Sequence, residues 1–272
     1  MTLALADIRF LIMDMDGVLY RGNKPLPGGR EFLAWLDELG VSYLMLTNNS
    51  VRTPRGWGEK MTALGMSVVG DRIMTAAQAT AAYLRKVAPQ GGSVYIIGGR
   101  GLEDAVLGDS GGLFVLDERH PDFVLVGLDP EFTYEKMKRA CQAIRAGARF
   151  IASNPDTTFP VEDGIAPGAG AIVASLVACT SVQPLVIGKP EQVAFELALE
   201  RLGADRGATA MLGDRLDTDI LGGRRAGLTT LMVLTGISTP DELAASPYKP
   251  DYAFSGLPEL MAAWRCDARA RE

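Results

Sequence analysis

Phe10-Leu11-Ile12-Met13-Asp14-Met15-Asp16-Gly17-Val18-Leu19-Tyr20 decides how the rest of the chain is read. A continuous apolar run is the pattern of a strand buried on both faces, as in a parallel sheet. It stops at two carboxylates two residues apart, followed by a glycine. Residues i and i+2 of a strand point the same way, so both acids can converge on one spot past its carboxyl end. In open α/β sheets ligands bind at that edge. Two close carboxylates repel unless a cation or a shared proton offsets them. A hard divalent cation such as Mg²⁺ is the simplest resident. The plain alternative is a chance pair of solvated aspartates, and only the other strand ends can decide between the two.

Working outward, the apolar pattern predicts a doubly wound α/β fold. Tyr20 to Gly29 reads as a loop or small flap. A helix follows from Arg30 to Leu39, closed by Gly40, then a buried strand from Val41 to Leu46 and a helix from Pro54 to about Leu64. This strand–helix alternation is that of a parallel sheet. The rhythm restarts with a helix at 75–87 and continues through strands at 93–97, 123–126 and 149–152 and a helix at 134–145. A glycine-rich loop at Gly164 to Gly170 then leads into a helix at 171–178. The last third returns to the opening style, with strands at 185–187, 209–212, 230–234 and 252–254. Its helices fall at 192–202, up to Ala226, and at 258–264, with a loose tail from Cys266. The middle therefore reads as a second α/β domain inserted into a Rossmann-like core, with 1–78 and 186–272 as the core and 79–185 as the insert.

Four strand ends of the outer domain carry chemistry: Asp14 with Asp16, Thr47, Lys189, and Asp214 with Asp219. The extra acids fit a Mg²⁺ site, because that ion is held by a few oxygens plus waters and substrate. A lysine beside a carboxylate nucleophile neutralises both it and an incoming anion. The Thr47 hydroxyl and the N–H groups of Asn48 and Asn49 suit phosphate oxygens at a helix entry. Singly, each has a bland rival: an N-cap for Thr47, a solvated loop residue for Lys189, and a first-turn helix charge for Asp217 or Asp219.

The net charge of −6 argues against nucleic-acid and membrane-surface binding, both of which want clustered positive charge. Cys141, Cys179 and Cys266 are odd in number and widely spaced. They predict reduced, mostly buried thiols in a cytoplasmic protein. No apolar stretch approaches the roughly 18 residues of a spanning helix. Gly99-Arg100-Gly101 lacks the third glycine of a dinucleotide loop, since Asp104 stands there. His120 has no partner in sequence and reads as a solvated loop residue.

Taken together, the motifs resemble the haloacid-dehalogenase superfamily of aspartyl-nucleophile phosphatases. Asp14-Met15-Asp16-Gly17-Val18-Leu19-Tyr20 is similar to its first motif and Leu46-Thr47-Asn48-Asn49-Ser50 to its second. Gly188-Lys189-Pro190 is similar to the third and Gly213-Asp214-Arg215-Leu216-Asp217-Thr218-Asp219-Ile220 to the fourth. The inserted α/β cap resembles the NagD-type, nitrophenylphosphatase-like subfamily. The resemblance spans residues 8 to 265 and implies a Mg²⁺-dependent phosphomonoesterase. Asp14 is then the nucleophile that forms an aspartyl-phosphate, and Asp16 the acid and base. The metal ligands are Asp14, the Asp16 carbonyl and Asp214, with Asp219 orienting them. Thr47, Asn48, Asn49 and Lys189 hold the phosphoryl oxygens. In the cap, Asn154-Pro155-Asp156-Thr157-Thr158-Phe159-Pro160 matches the substrate-facing loop, with Asn154, Asp156 and Phe159 as specificity candidates. Phe159 weighs equally as a cap-core aromatic. The implied partner is a small phosphorylated metabolite (sugar, glycerol, glycolate or nucleoside monophosphate class), and relatives often pair through their caps.

Three alternatives stay open. A signalling receiver module shares the acidic pocket, Thr and Lys, but is about half as long and has no cap. Phosphonatase, mutase or dehalogenase chemistry shares the scaffold, although dehalogenases lack an acid at the position of Asp16. A non-catalytic binding protein has no evident need for the full set of acids.

Overall fold

The computed structural model describes residues 2–68, 70–108, 111–161 and 164–270. The first stretch contains β1 (Phe10–Met13), β2 (Tyr20–Arg21), β3 (Lys24–Pro25), α1 (Gly29–Glu38), β4 (Ser42–Thr47), α2 (Pro54–Ala63) and β5 (Ile73–Thr75). The middle contains α3 (Ala76–Val87), β6 (Gly92–Ile97), α4 (Arg100–Glu103), β7 (Phe114–Leu116), β8 (Phe123–Val126), α5 (Tyr134–Arg145) and β9 (Arg149–Ala152). It ends with β10 (Thr158–Val161), β11 (Gly164–Pro167), α6 (Ala169–Thr180) and β12 (Leu185–Val186). The last stretch contains α7 (Gln192–Leu202), β13 (Thr209–Gly213), α8 (Leu221–Arg225), β14 (Thr229–Val233), α9 (Pro240–Ala245), β15 (Tyr252–Phe254) and α10 (Leu257–Arg269).

Proximity divides the chain into two compact units. One comprises Met1–Leu46, Trp57–Met74 and Lys189–Glu272; the other comprises Thr47–Gly56 and Thr75–Gly188. The first unit is built on a six-stranded sheet of order β15-β14-β13-β1-β4-β5, the second on a five-stranded sheet of order β12-β9-β8-β6-β7. Pairings from β15 through to β4 are parallel, as are those of the five-stranded sheet. This is the α/β architecture expected from the alternating pattern.

β1 lies centrally, with Met13 level with Leu212 of β13 and Met45 of β4. Leu11, Ile12 and Met13 are fully buried, as covered parallel strands must be. α1 contributes Phe32, Leu33, Trp35 and Leu36 to the same core, where Trp35 meets Trp264 edge-on at 5.5 Å. The second unit has its own core, in which Val124, Val126, Ala152 and Leu176 are central.

Several local expectations are corrected. The tail expected from Cys266 is helical: α10 runs to Arg269, because Trp264 packs on Trp35 and the Ala6 N–H bonds to Asp267 at 2.8 Å. Residues 271 and 272 of that tail lie outside the described residues. The loop expected at Gly164 to Gly170 is instead strand β11, antiparallel to β10, followed directly by α6. Of the cysteines expected mostly buried, Cys179 and Cys266 are exposed and Cys141 is half-buried. Both Cys179 and Cys266 stand in last turns of helices, where the outer face is in water. Among the described residues no helix is long and apolar enough to cross a membrane.

Candidate active site

Asp14 is the first residue beyond β1, and its N–H donates to the Leu212 carbonyl at 2.9 Å, continuing the sheet ladder. Asp214 stands directly after β13, the neighbouring strand, so parallel pairing brings the two carboxylates to one edge. A one-turn π-helix, Leu216–Ile220, follows and swings Asp219 back beneath them. Asp219 Oδ2 accepts the N–H groups of Asp214 at 3.2 Å and Arg215 at 3.1 Å, which fixes its orientation. Lys189 is buried between two of the acids, with Nζ 2.8 Å from Asp14 Oδ1 and 2.7 Å from Asp219 Oδ1.

Three carboxylates and one ammonium out of bulk water are costly unless paired. Burial pushes the Asp14 carboxyl up to about 6; Lys189 opposes the rise and Asp219 adds to it. Asp214 is raised well above the usual carboxylate range by burial and by the charges of Asp219 and Asp14. Burial alone would lower Lys189, but the attraction of Asp14 and Asp219 outweighs it and holds the ammonium charged. One cation therefore faces three acids, leaving a local excess of negative charge.

One oxygen from each of Asp14, Asp214 and Asp219 lies within 4.8 Å of the others. Asp214 Oδ2 accepts the Ile237 N–H at 2.6 Å, whereas its buried Oδ1 has no hydrogen-bond partner among the described residues. A buried carboxylate oxygen without a donor is expensive unless a cation meets it. An all-oxygen donor set with surplus negative charge therefore fits a hard divalent ion.

Gly17 shows why the first motif carries a glycine. Its φ is +82°, and a Cβ there would meet Asp214 Oδ2 at 2.5 Å. Asp16 forms an isolated bridge with Tyr20, and its carboxyl is raised by burial, with Lys60 and the N–H groups of Gly22 and Gly17 pulling the other way.

The second unit holds the remaining candidates. Thr47, the last residue of β4, accepts the Asn49 N–H on its hydroxyl at 3.1 Å, and Asn49 Oδ1 accepts the Val51 N–H at 3.1 Å. Asn154 is buried, and its Nδ2 donates to the Asn48 carbonyl at 3.0 Å and to Ser153 Oγ at 3.3 Å. Asn48 Nδ2 donates to Asp156 Oδ1 at 3.3 Å. The second-motif loop and the loop of Asn154 and Asp156 are thus joined to each other. Phe159 is half-buried on β10, opposite Ala166.

Sequence reasoning missed the 236–238 loop that backs Asp214. The Ile237 N–H holds Oδ2, the Ser238 N–H reaches the Asp214 carbonyl at 3.3 Å, and the Ser238 hydroxyl receives the Leu216 N–H at 3.1 Å. All three bonds use backbone N–H donors, which no residue pattern advertises. Lys60, which lies over the Tyr20 ring in the turn after Asp16, was missed too, since a lysine on a helix reads as a solvated face.

Comparison with known proteins agrees with this geometry. A family model described as Haloacid dehalogenase-like hydrolase matches residues 11–109, and a HAD-hydrolase-like model matches residues 186–260. The chain is 39% identical over 251 residues to the acid sugar phosphatase of Staphylococcus aureus, covering 92% of this chain and 96% of that one. Among solved structures it is similar to the 4-nitrophenylphosphatase of Thermotoga maritima, with TM-score 0.90 and 36% identity over 95% of this chain and 98% of that one. NagD from E. coli K-12 gives a TM-score of 0.85 and 32% identity over 92% and 96% of the two chains. With relatives this similar over nearly their full length, the chain belongs to the haloacid dehalogenase-like hydrolases and is a phosphatase of that family.

Proposed function

We propose that the chain hydrolyses small organic phosphomonoesters, with sugar phosphates as the leading class, through an aspartyl-phosphate on Asp14. The observation that carries this reading is the buried cluster of Asp14, Asp214, Asp219 and Lys189, in which Asp214 Oδ1 lacks a donor among the described residues. Asp14, the Asp16 carbonyl and Asp214 would hold Mg²⁺, with Asp219 orienting the set. The ion supplies positive charge to the phosphoryl group as negative charge redistributes there.

The chain's own groups do the bond making. An Asp14 oxygen attacks phosphorus as the ester bond breaks, and Asp16 passes its proton to the departing oxygen. Asp16, now ionised, takes a proton from the water that attacks the aspartyl-phosphate; inorganic phosphate leaves and both acids are restored. A raised carboxyl at Asp16 suits that exchange. Lys189 keeps Asp14 charged and meets the incoming anion. The Thr47 hydroxyl, oriented by the Asn49 N–H, donates to a phosphoryl oxygen, and Asn48 and Asn49 complete that loop.

Residues 1–78 and 186–272 form the catalytic core in this reading, and 79–185 an inserted cap that sets substrate preference and a route to homodimers. Phe159 and Asp156 are the contact candidates in the cap, while Asn154, buried and bonded to Asn48, braces its loop. The sugar-phosphate class draws its support from the Staphylococcus aureus relative, whose name gives that substrate, and the aryl class from the nitrophenylphosphatases.

Phosphate release from p-nitrophenyl phosphate and a panel of sugar phosphates, with Mg²⁺ and with chelator, tests the reading. Turnover with metal and its loss with chelator are expected. Undiminished turnover in chelator would overturn it.

A further inference from the structure

The amino-terminal edge of the six-stranded sheet carries a second cleft. Arg9 stands immediately before β1 and Asp14 immediately after it, so the strand itself separates this cleft from the catalytic acids. The cleft encloses about 290 Å³ between α1, the entry to β4 and α10. Its floor is aromatic: Trp35 and Trp264, both buried, meet edge-on there with ring centroids 5.5 Å apart. Leu39, just past the end of α1, opens onto the same space and is 45% exposed. Small-molecule pockets begin at about 300 Å³, so the space suits a single ring or a short acyl chain.

The rim of the cleft is cationic. Arg9, Arg265 and Arg269 line it, and all three are exposed. Arg265 and Arg269 lie one turn apart on α10, a spacing at which like charges repel. No acid lines the cleft, and among the described residues none of the three guanidinium groups is ion-paired. Arg265 instead lies over the Trp35 ring, 5.3 Å from its centre, a seat that leaves its N–H edge available to an anion. In a chain with 33 acids against 27 Lys and Arg, composition does not account for three arginines that share one hollow without an acid. A solvated arginine face needs no aromatic floor, and an apolar pocket needs no arginine rim.

We propose that this cleft binds a small amphipathic anion: a ring or short acyl body rests on the Trp35–Trp264 floor, and its carboxylate or phosphate meets Arg9, Arg265 and Arg269. A guanidinium pairs two oxygens of either head group side by side, and several together offset a dianion. Binding there relieves the mutual repulsion of the three cations and covers Leu39. The site is independent of the chemistry assigned to Asp14 and Asp16, from which β1 separates it.

Three probes with similar one-ring bodies test the site on the full chain. Hydrocinnamate carries a carboxylate, phenethylphosphonate a phosphate-like head, and hydrocinnamyl alcohol no charge. Tryptophan fluorescence reads binding, because two of the three tryptophans, Trp35 and Trp264, line the cleft. At least one of the two anions is expected to saturate with Kd below about 1 mM and to bind about tenfold or more tighter than the alcohol. The tighter of the two anions names the head group, carboxylate or phosphate. Arg9→Gln and Arg269→Gln, each at an exposed position, are expected to weaken that anion about tenfold apiece and to leave turnover of p-nitrophenyl phosphate unchanged, which also shows that the variants are folded. Equal affinity for anion and alcohol would overturn the proposal, since the arginines would then contribute nothing. Anion binding that survives both substitutions, or no saturation by either anion in the millimolar range, would overturn it too.

Discussion

Asp214 concentrates the logic of the site in one side chain. Its Oδ2 is held by the Ile237 N–H, and Gly17 and Gly236 pack against its carboxyl with no room for a Cβ. Its other oxygen is buried and lacks a donor among the described residues, so the side chain is fixed in place and left electrostatically unmet. A cation that binds only the folded chain stabilises it by about 2.7 kcal/mol at a hundred times its Kd. Thermal melts with and without Mg²⁺ should show a rise in Tm for the native chain. In Asp214→Asn, which keeps the size and Oδ1 but removes the charge, that rise should shrink sharply, even if the metal-free Tm is unchanged or higher. Removing one of three crowded acids relieves repulsion while the Asn amide NH2 cannot accept the Ile237 N–H, so the Mg²⁺ shift is read against each variant's own metal-free Tm. The motif residues around this point were legible because strand ends in a parallel sheet converge by topology alone. Lys189 meeting both Asp14 and Asp219 was not legible in detail, because it depends on a π-turn at 216–220 that carries no composition signal.

At the level of elements, buried periodicity was the dependable signal. β1 and α1 were readable because their apolar residues follow the strand and helix periods and are fully used by the core. The hairpin β10–β11 was not, because Pro160 and Gly164 argue for loop and only cross-strand pairing overrides them. The end of α10 was missed for a similar reason: tertiary contacts of Trp264 and Asp267, rather than local propensity, carry the helix past Cys266. Truncating Trp264 to Ala removes a buried aromatic from the Trp35 contact and should cost about 3–5 kcal/mol in denaturant unfolding. Loss below 1 kcal/mol would show that α10 is peripheral to the core. A second element joint is electrostatic. Burial works against the charge of Asp251, but the N–H and hydroxyl of Thr230 and the Thr2 hydroxyl outweigh it and hold the carboxyl below the ordinary value of 3.8. A depressed carboxyl stabilises the fold at all pH values above its unfolded pKa and loses that contribution as pH falls through its folded one. Native chain and Asp251→Asn should therefore differ in stability at neutral pH and converge below pH 3.8. A gap that widens in acid would contradict the assignment.

For the whole molecule, the sequence spoke most clearly about chemistry and least about substrate. Asp14, Thr47 and Asp214 come from the ends of strands of one parallel sheet, whereas Lys189, expected at a strand end of that same sheet, follows β12 of the five-stranded sheet and Asp219 stands on the π-turn. The specificity candidates lie in loops of the second unit, where Asn154 is spent on internal hydrogen bonds. Sequence pattern cannot separate such a bracing residue from one that touches a ligand. In the proposed mechanism Asp14 becomes phosphorylated and Asp16 clears the phosphoryl group. Rapid acid quench during turnover of p-nitrophenyl phosphate, followed by peptide mass analysis, measures this directly. A phosphoryl group is expected on the peptide bearing Asp14, more abundant in Asp16→Asn, where hydrolysis of the intermediate is slowed, and absent in Asp14→Asn together with turnover. Sustained turnover by Asp14→Asn, with no phosphorylated peptide in any variant, would contradict it.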